Sequence, residues 1–113
     1  MAQPKFLDDP AFRCLRTGDQ EGFLAQLSGR KQLDFSDCDL RGTDLRGSDI
    51  SKVVLRGSYL RDADLRGLDL RRVDMEGCSL YHAKISGAYF PANVPATEIC
   101  TSVQYGTRIR AES

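Results

Sequence analysis

The sequence predicts an all-β solenoid, in which a short repeated unit coils and stacks on itself. The first observation is a large apolar residue at every fifth position over twelve consecutive repeats. At a hydrophobic content of 41%, chance produces such a run in roughly 2 of 100,000 registers. The second observation is a glycine that recurs at the same interval. The apolar positions are Phe35, Leu40, Leu45, Ile50, Leu55, Leu60, Leu65, Leu70, Met75, Leu80, Ile85 and Phe90.

A period of five residues fits neither a helix nor a straight strand. Five residues advance a helix by about 500°, so successive apolar residues would scatter around its axis. Five is an odd number, so in a straight strand they would alternate between the two faces. The chain must therefore turn once per repeat, and glycine at the turn makes this conformation accessible. Six repeats place glycine there, at Gly42, Gly47, Gly57, Gly67, Gly77 and Gly87.

The residues around each apolar centre are also repetitive. Asp precedes the centre in seven repeats and Arg follows it in six, as in Cys-Asp-Leu-Arg-Gly at 38–42, Thr-Asp-Leu-Arg-Gly at 43–47 and Ala-Asp-Leu-Arg-Gly at 63–67. These segments resemble the pentapeptide-repeat family, and the resemblance covers residues 33–92. It implies a right-handed quadrilateral β-helix with four pentapeptides per coil, and therefore about three coils.

Four repeats per coil would place every fourth pentapeptide directly above the first, as in the predicted core stack Leu40/Leu60/Leu80. Such a narrow, filled core leaves no room for a cofactor or small-molecule pocket. On the outside, Asp44 and Arg46 would lie beside Asp64 and Arg66 as an exposed, charge-compensated face.

The four cysteines are predicted to be reduced and mostly buried. Cys14, Cys38, Cys78 and Cys100 form no Cys-x-x-Cys motif. Cys38 and Cys78 would share a column two coils apart, at about 9–10 Å, which exceeds the roughly 7 Å limit for a disulfide. We therefore expect free thiols.

The flanking segments are expected to cover the ends of the solenoid, giving an N-terminal helical cap at 1–32, the β-helix at 33–92 and a C-terminal capping segment and tail at 93–113. Asp9-Pro10 predicts a helix ending at Gly18, and Asp19 begins a second one ending near Gly29. Thr97 is the predicted cap of a third helix, which carries Ile99 and Val103 on one face and is closed by Gly106. Residues 107–110 alternate like a short edge strand. The apolar residues predicted to cover the first coil are Phe12, Leu15, Phe23, Leu24 and Leu27.

Charge and hydropathy argue against several classes of function. The chain has 16 basic and 16 acidic residues, so its net charge is zero, and direct nucleic-acid binding is not expected. No basic and apolar leader opens the sequence, and its longest uncharged run, 85–97, is too short to span a bilayer. We expect a cytoplasmic, bacterial protein that does not associate with membranes.

Catalysis is not expected, because no motif supplies convergent acid, base and nucleophile groups. His82 is the single histidine and follows Cys78 by four positions. In the predicted fold Cys78 points inward and His82 lies at an outer corner, which disfavours a Cys–His dyad or a metal pair. We therefore predict no catalytic, metal-binding or cofactor-binding residues.

The favoured surface feature is a candidate interaction patch of Tyr59, Arg61, Tyr81 and His82, which are expected on one side of the solenoid. Tyrosine and arginine are enriched at interface hot spots. The alternative is an aromatic side chain packed over arginine stems with no partner. A second, weaker area groups Arg71, Arg72, Tyr89 and Pro91.

Two functions follow. The first is a small, non-enzymatic interaction or scaffold module, a monomer or weak dimer, whose partner is another protein. The second follows from the family resemblance: some members imitate duplex DNA, bind type II topoisomerases such as gyrase and modulate quinolone action. Such imitation needs a predominantly negative surface, whereas residues 33–92 carry ten acidic and nine basic residues. The first function is therefore favoured.

Overall fold

The structure, a computed structural model, describes residues 3–112. Two helices, α1 (Pro10–Thr17) and α2 (Gln20–Gln26), precede the repeats, and α3 (Ala96–Tyr105) follows them. Within the repeats, β1 (Leu33–Asp34) and β2 (Val53–Val54) pair in parallel, with Leu33 opposite Val53.

Parallel pairing at an offset of four pentapeptides continues through the repeats as single bridges. The bridged pairs are Asp39–Tyr59, Asp44–Asp64, Tyr59–Ser79, Asp64–Lys84 and Asp69–Tyr89. At the first of them, the Leu40 amide donates to the Tyr59 carbonyl at 2.9 Å and the Tyr59 amide donates to the Cys38 carbonyl at 3.0 Å. Residues four pentapeptides apart therefore lie side by side, as the sequence predicts for the stack.

The strands are short because the chain turns within every repeat. Gly42, Gly57 and Gly67 have left-handed backbone, with φ of 71°, 75° and 74°, at the turn that follows the inward residue. Left-handed φ is accessible to glycine at little cost, and each turn interrupts the backbone ladder after one or two residues. The pairing therefore consists of two short strands and isolated bridges rather than long continuous strands.

The predicted core is buried along most of its length. Ten of the twelve apolar centres are buried, from Phe35 to Leu80, and the last two, Ile85 and Phe90, are only partly buried. These two belong to the final repeats, where no later repeat covers them. The residue two positions before each centre also faces inward, and Cys38, Ser58 and Cys78 are fully buried at that position.

The N-terminal helices follow the predicted start signals. Asp9 accepts a hydrogen bond from the Ala11 amide at 2.8 Å, Pro10 begins α1, and Gly18 ends it in a left-handed conformation. Asp19 caps α2 through the Gly22 amide at 2.9 Å.

Two expectations for these helices are wrong. Helix α2 ends at Gln26, not near Gly29, and Leu24 is 62% exposed instead of covering the repeats. A helix this short presents one narrow apolar stripe, and the adjacent Phe23 occupies it. Phe12, Leu15, Phe23 and Leu27 are buried as predicted.

The C-terminal helix differs from expectation at its start. Pro95, not Thr97, is the N-cap of α3, with no side-chain capping bond, whereas Gly106 ends the helix in the predicted left-handed conformation. The following segment forms one antiparallel bridge, between Arg108 and Ser79, and buries Ile109.

One edge contact near the N-terminus was not predicted. Lys5 forms a parallel bridge with Cys38: its amide donates to the Asp37 carbonyl and its carbonyl accepts from the Asp39 amide, both at 2.9 Å. Backbone pairing leaves no mark in side-chain periodicity, so the sequence offers no signal for it.

All four cysteines are free thiols, as predicted, but only two are buried. Cys38 and Cys78 lie in the core, whereas Cys14 is partly buried and Cys100 is exposed. The expectation of mostly buried thiols fails for the latter pair because both lie on helices outside the repeats.

Candidate interaction surface

Three of the four predicted patch residues form one exposed cluster, which we call the Tyr81 cluster (Arg61, Asp62, Tyr81 and His82). The Tyr81 and His82 rings stack with centroids 3.9 Å apart and an interplanar angle of 24°. The Arg61 guanidinium lies 5.0 Å from the centre of the Tyr81 ring. A guanidinium over an aromatic face is attracted by the ring quadrupole.

The local backbone explains why these side chains meet. Asp62 and His82 occupy the turn position that glycine fills in other repeats, and both have left-handed φ, of 60° and 59°. The Asp62 amide donates to the Tyr81 carbonyl at 2.9 Å, which fixes the two turns side by side. Replacement of glycine at both stacked turns is the sequence signal for this exposed corner.

Asp62 supplies the negative charge of the cluster. One carboxylate oxygen lies 3.6 Å from Arg61 Nε and the other lies 4.0 Å from His82 Nδ1. All of these groups are more than half exposed, so the pairs contribute little to stability. The cluster therefore offers aromatic faces, a cation and an acceptor to a partner.

Tyr59 has a different contact. Arg108 of the C-terminal segment lies over its ring, 4.5 Å from the centroid, and donates to its hydroxyl at 2.6 Å. Arg108 also donates to the carbonyls of Gly57 and Gly77, at 3.0 and 2.8 Å. Tyr59 is thus partly covered by the chain itself, and it fastens the C-terminal segment to the repeats. Nothing in the repeat pattern predicts this link, because Arg108 lies outside the repeats.

The second area forms an open groove of about 600 Å³, whose lining includes Arg71, Arg72, Pro91 and Glu112. Arg71 lies over the ring of Tyr89 at 5.0 Å, and Tyr89 is 59% exposed. Three basic and three acidic side chains line this groove, so it presents no single charge to a ligand.

The charged side faces are internally compensated. Arg66 Nη2 lies 2.7 Å from Asp64 and Arg46 Nε lies 3.2 Å from the same carboxylate, while Arg46 also pairs with Asp44 at 2.8 Å. Hydrogen bonding by Arg66, aided by Arg46, lowers the pKa of Asp64 to about 2. Asp64 is buried rather than exposed, which corrects the expectation of a fully solvated face at this residue.

Asp39 is buried as well, since only 2% of the residue is exposed. Arg41 pairs with it at 2.5 Å, and Arg16 of α1 approaches it at 3.8 Å. The Arg41 hydrogen bond lowers the pKa of Asp39. A buried carboxylate needs such partners, and here they join α1 to the repeats.

Within residues 3–112, no three His, Cys, Asp or Glu side chains come together in a way that could hold a metal ion. Cys78 Sγ is buried and donates to the Leu55 carbonyl at 2.9 Å, whereas His82 is exposed. None of the helices in this part of the chain has the length and apolar character needed to span a membrane.

Pairing between every fourth pentapeptide around a continuous apolar core is typical of a repeat protein of the β-helix-type solenoid class. Comparison with protein families agrees: the profile of the family "Pentapeptide repeats" matches eight copies, over residues 31–57 and 58–91, which is more than half of the chain. The chain belongs to the pentapeptide-repeat family. Neither a curated protein nor a solved structure gives a significant match.

Proposed function

We propose that this protein is a small, non-enzymatic interaction module that presents the Tyr81 cluster to a partner protein. The observation that carries the proposal is the stack of Arg61, Tyr81 and His82 on an exposed corner. Tyrosine gives a large contact area with only two side-chain torsions to fix, and tyrosine and arginine are enriched among the residues that dominate the energy of protein interfaces. The solenoid supports them on paired backbone rather than on a loop.

We further propose that the repeats form a right-handed, four-sided β-helix of three coils. The offset of four pentapeptides between bridged positions supports four pentapeptides per coil, and family membership supports the handedness. Such a rod is rigid because seven of the eight repeats that have a fourth repeat after them are hydrogen-bonded to it. A rigid support reduces the entropy lost when a partner binds.

The charge pattern favours a protein partner over nucleic acid or a nucleic-acid-binding enzyme. Asp39, Asp44, Asp64, Asp69 and Asp74 are each paired with an arginine. A surface that imitates duplex DNA needs a field of one sign. The compensated faces do not favour gyrase binding, so we do not adopt the DNA-mimic function.

The test captures partners with the immobilised full chain and compares variants. Tyr81→Ala and Arg61→Ala should each reduce recovery of a specifically retained protein at least tenfold, because hot-spot truncations cost about 2 kcal/mol or more. Tyr105→Ala is the matched control, since Tyr105 is 74% exposed and lies outside the cluster.

Each variant is first checked for cooperative unfolding, because Tyr81 packs against Gly106. Arg61→Ala removes the cation without disturbing that contact. Equal recovery by the wild-type chain and both cluster variants would overturn the proposal. A gyrase supercoiling assay with and without quinolone tests the alternative function. A change in supercoiling that depends on the concentration of this protein would establish gyrase binding.

A further inference from the structure

The last repeats leave a row of backbone donors without acceptors. In the preceding repeats, the amides of Leu65, Gly67 and Leu70 donate to carbonyls four pentapeptides further on, those of Lys84, Ser86 and Tyr89, at 2.8, 3.0 and 2.7 Å. The equivalent amides of the final repeats belong to Ile85, Gly87 and Phe90, and none of them has a hydrogen-bond acceptor within residues 3–112. We call residues 83–90 the open edge.

The core is also incomplete at the open edge. Ile85 and Phe90 are the only two of the twelve apolar centres that are not fully buried in the described chain. Unpaired amides beside half-exposed apolar side chains are the two features that an added β-strand satisfies together. The edge ends at Pro91, which has no amide hydrogen to offer.

The chain already closes the neighbouring part of this end by strand addition. The Gly77 amide donates to the Ile109 carbonyl at 2.8 Å, and the Ile109 amide donates to the Cys78 carbonyl at 2.9 Å. Helix α3 takes the next position, where the His82 amide donates to the Val103 carbonyl at 3.0 Å. Ala83 is still buried, but within residues 3–112 the backbone hydrogen bonds of this kind end at His82.

Charge indicates the chemistry of the missing strand. Lys84 is the only charged residue between 83 and 92, it is exposed, and it forms no ion pair with a carboxylate in residues 3–112. An incoming strand with an acidic side chain opposite Lys84 would therefore find an unpaired cation, whereas a basic strand would be repelled.

We propose that the open edge binds an extended segment of a partner protein, with alternating apolar and acidic residues, as an added β-strand. Because the chain turns at Gly87, the segment pairs along residues 84–87 only. An apolar residue covers Ile85, the backbone accepts from the free amides of Ile85 and Gly87, and an acidic residue pairs with Lys84. The open edge begins one residue after His82 but shares no residue with the Tyr81 cluster. The two proposals are tested by different variants, so the failure of one does not decide the other.

The test uses amide hydrogen exchange of the full chain, followed by NMR, with a capped peptide of sequence Thr-Glu-Ile-Glu-Val-Thr as probe. At saturating peptide, exchange at Ile85 and Gly87 should slow at least tenfold, while exchange at Leu65 and at Phe90, which lies beyond the turn at Gly87, stays unchanged. The same peptide with Lys in place of Glu tests the charge, and one with Pro at alternate positions tests the backbone pairing. Both should bind at least fivefold more weakly.

A charge reversal supplies the matched variants. Lys84→Glu should lower the affinity for the acidic peptide about fivefold or more, because it replaces an exposed ion pair with a like-charge contact. Lys31→Glu should leave the affinity for this peptide unchanged. No protection at saturating peptide, or equal binding of the acidic and basic peptides, would overturn the proposal. Protection that rises with protein concentration in the absence of peptide would also overturn it, because the occupant would then be a second copy of the chain.

Discussion

The Ser58 hydroxyl donates a hydrogen bond to the Phe35 carbonyl at 2.5 Å and accepts one from the Cys38 amide at 3.3 Å. It thus bridges the Phe35 carbonyl and the Cys38 amide, which are not bonded to each other, whereas at the equivalent turn the Cys78 amide donates directly to the Met75 carbonyl at 3.1 Å. One fully buried side chain therefore joins two repeats that lie four pentapeptides apart.

Replacing Ser58 with alanine should destabilise the protein by about 1–3 kcal/mol, because it leaves a buried carbonyl and a buried amide without partners. Ser48→Ala is the matched control: Ser48 occupies the same position of its repeat, is partly buried, and its hydroxyl makes no hydrogen bond within residues 3–112. Ser48→Ala should change the free energy of unfolding by no more than about 0.5 kcal/mol. Urea unfolding measures the free energy of unfolding of both variants. An equal loss of stability in Ser58→Ala and Ser48→Ala would contradict the assigned role of Ser58.

The middle and the end of the core should differ in their sensitivity to cavities. Leu60 is fully buried between repeats on both sides, so Leu60→Ala should cost about 2–5 kcal/mol. Ile85→Ala should cost less than half as much as Leu60→Ala, since Ile85 is partly exposed and the site remains open to solvent. Thermal or urea unfolding compares the two. A loss at Ile85 as large as that at Leu60 would show that the end of the core is closed.

The core was predictable because an apolar residue at every fifth position fits neither a straight helix nor a straight strand. Glycine at the turn marks where the chain bends. The side chains of Leu40, Leu60 and Leu80 are all buried, as a stack of every fourth pentapeptide requires. The interaction cluster was predictable in part, since the contact between Arg61 and Tyr81 follows from the same stacking.

The remaining features depend on contacts that periodicity does not record. Tyr59 meets Arg108, which lies far along the chain and outside the repeats, and Lys5 joins the ladder only through its backbone. Leu24 was predicted to be a core residue because Phe23, Leu24 and Leu27 have helical spacing. Successive helical residues point about 100° apart, and here Phe23 faces the repeats while Leu24 faces solvent.

The four thiols should react at very different rates. Cys100 is exposed, whereas burial raises the pKa of Cys38 to about 11 and that of Cys78 to about 12. Since the thiolate is the reactive species, alkylation of the native protein at about pH 8 should modify Cys100 first and Cys78 at least a hundredfold more slowly. Peptide mass spectrometry gives the order.

Urea provides the control for that experiment. In the unfolded chain all four cysteines should react at similar rates, because burial is lost. Fast native labelling of Cys78 would mean that the core opens locally at this position, in conflict with its 0% exposure.

Asp64 should make stability depend on pH in the acid range. Its pKa is lowered to about 2 in the folded protein, first by the hydrogen bond from Arg66, against about 3.9 in an unfolded chain. The stabilisation is therefore fully present above about pH 4 and is lost as the pH falls towards 2. Asp64→Asn lacks this contribution, so it should unfold at lower urea than the wild type at pH 7, and the difference should shrink between pH 4 and pH 2.

Glu112→Gln supplies the comparison, because Glu112 is exposed, lies outside the helices and pairs with no basic group within residues 3–112. Its urea midpoint should follow that of the wild type at every pH. A constant gap between Asp64→Asn and the wild type from pH 7 to pH 2 would show that the Asp64 side chain acts through its shape and hydrogen bonds alone. A gap that closes as the carboxylate is protonated would show that its charge, held between Arg66 and Arg46, stabilises the ladder of paired repeats.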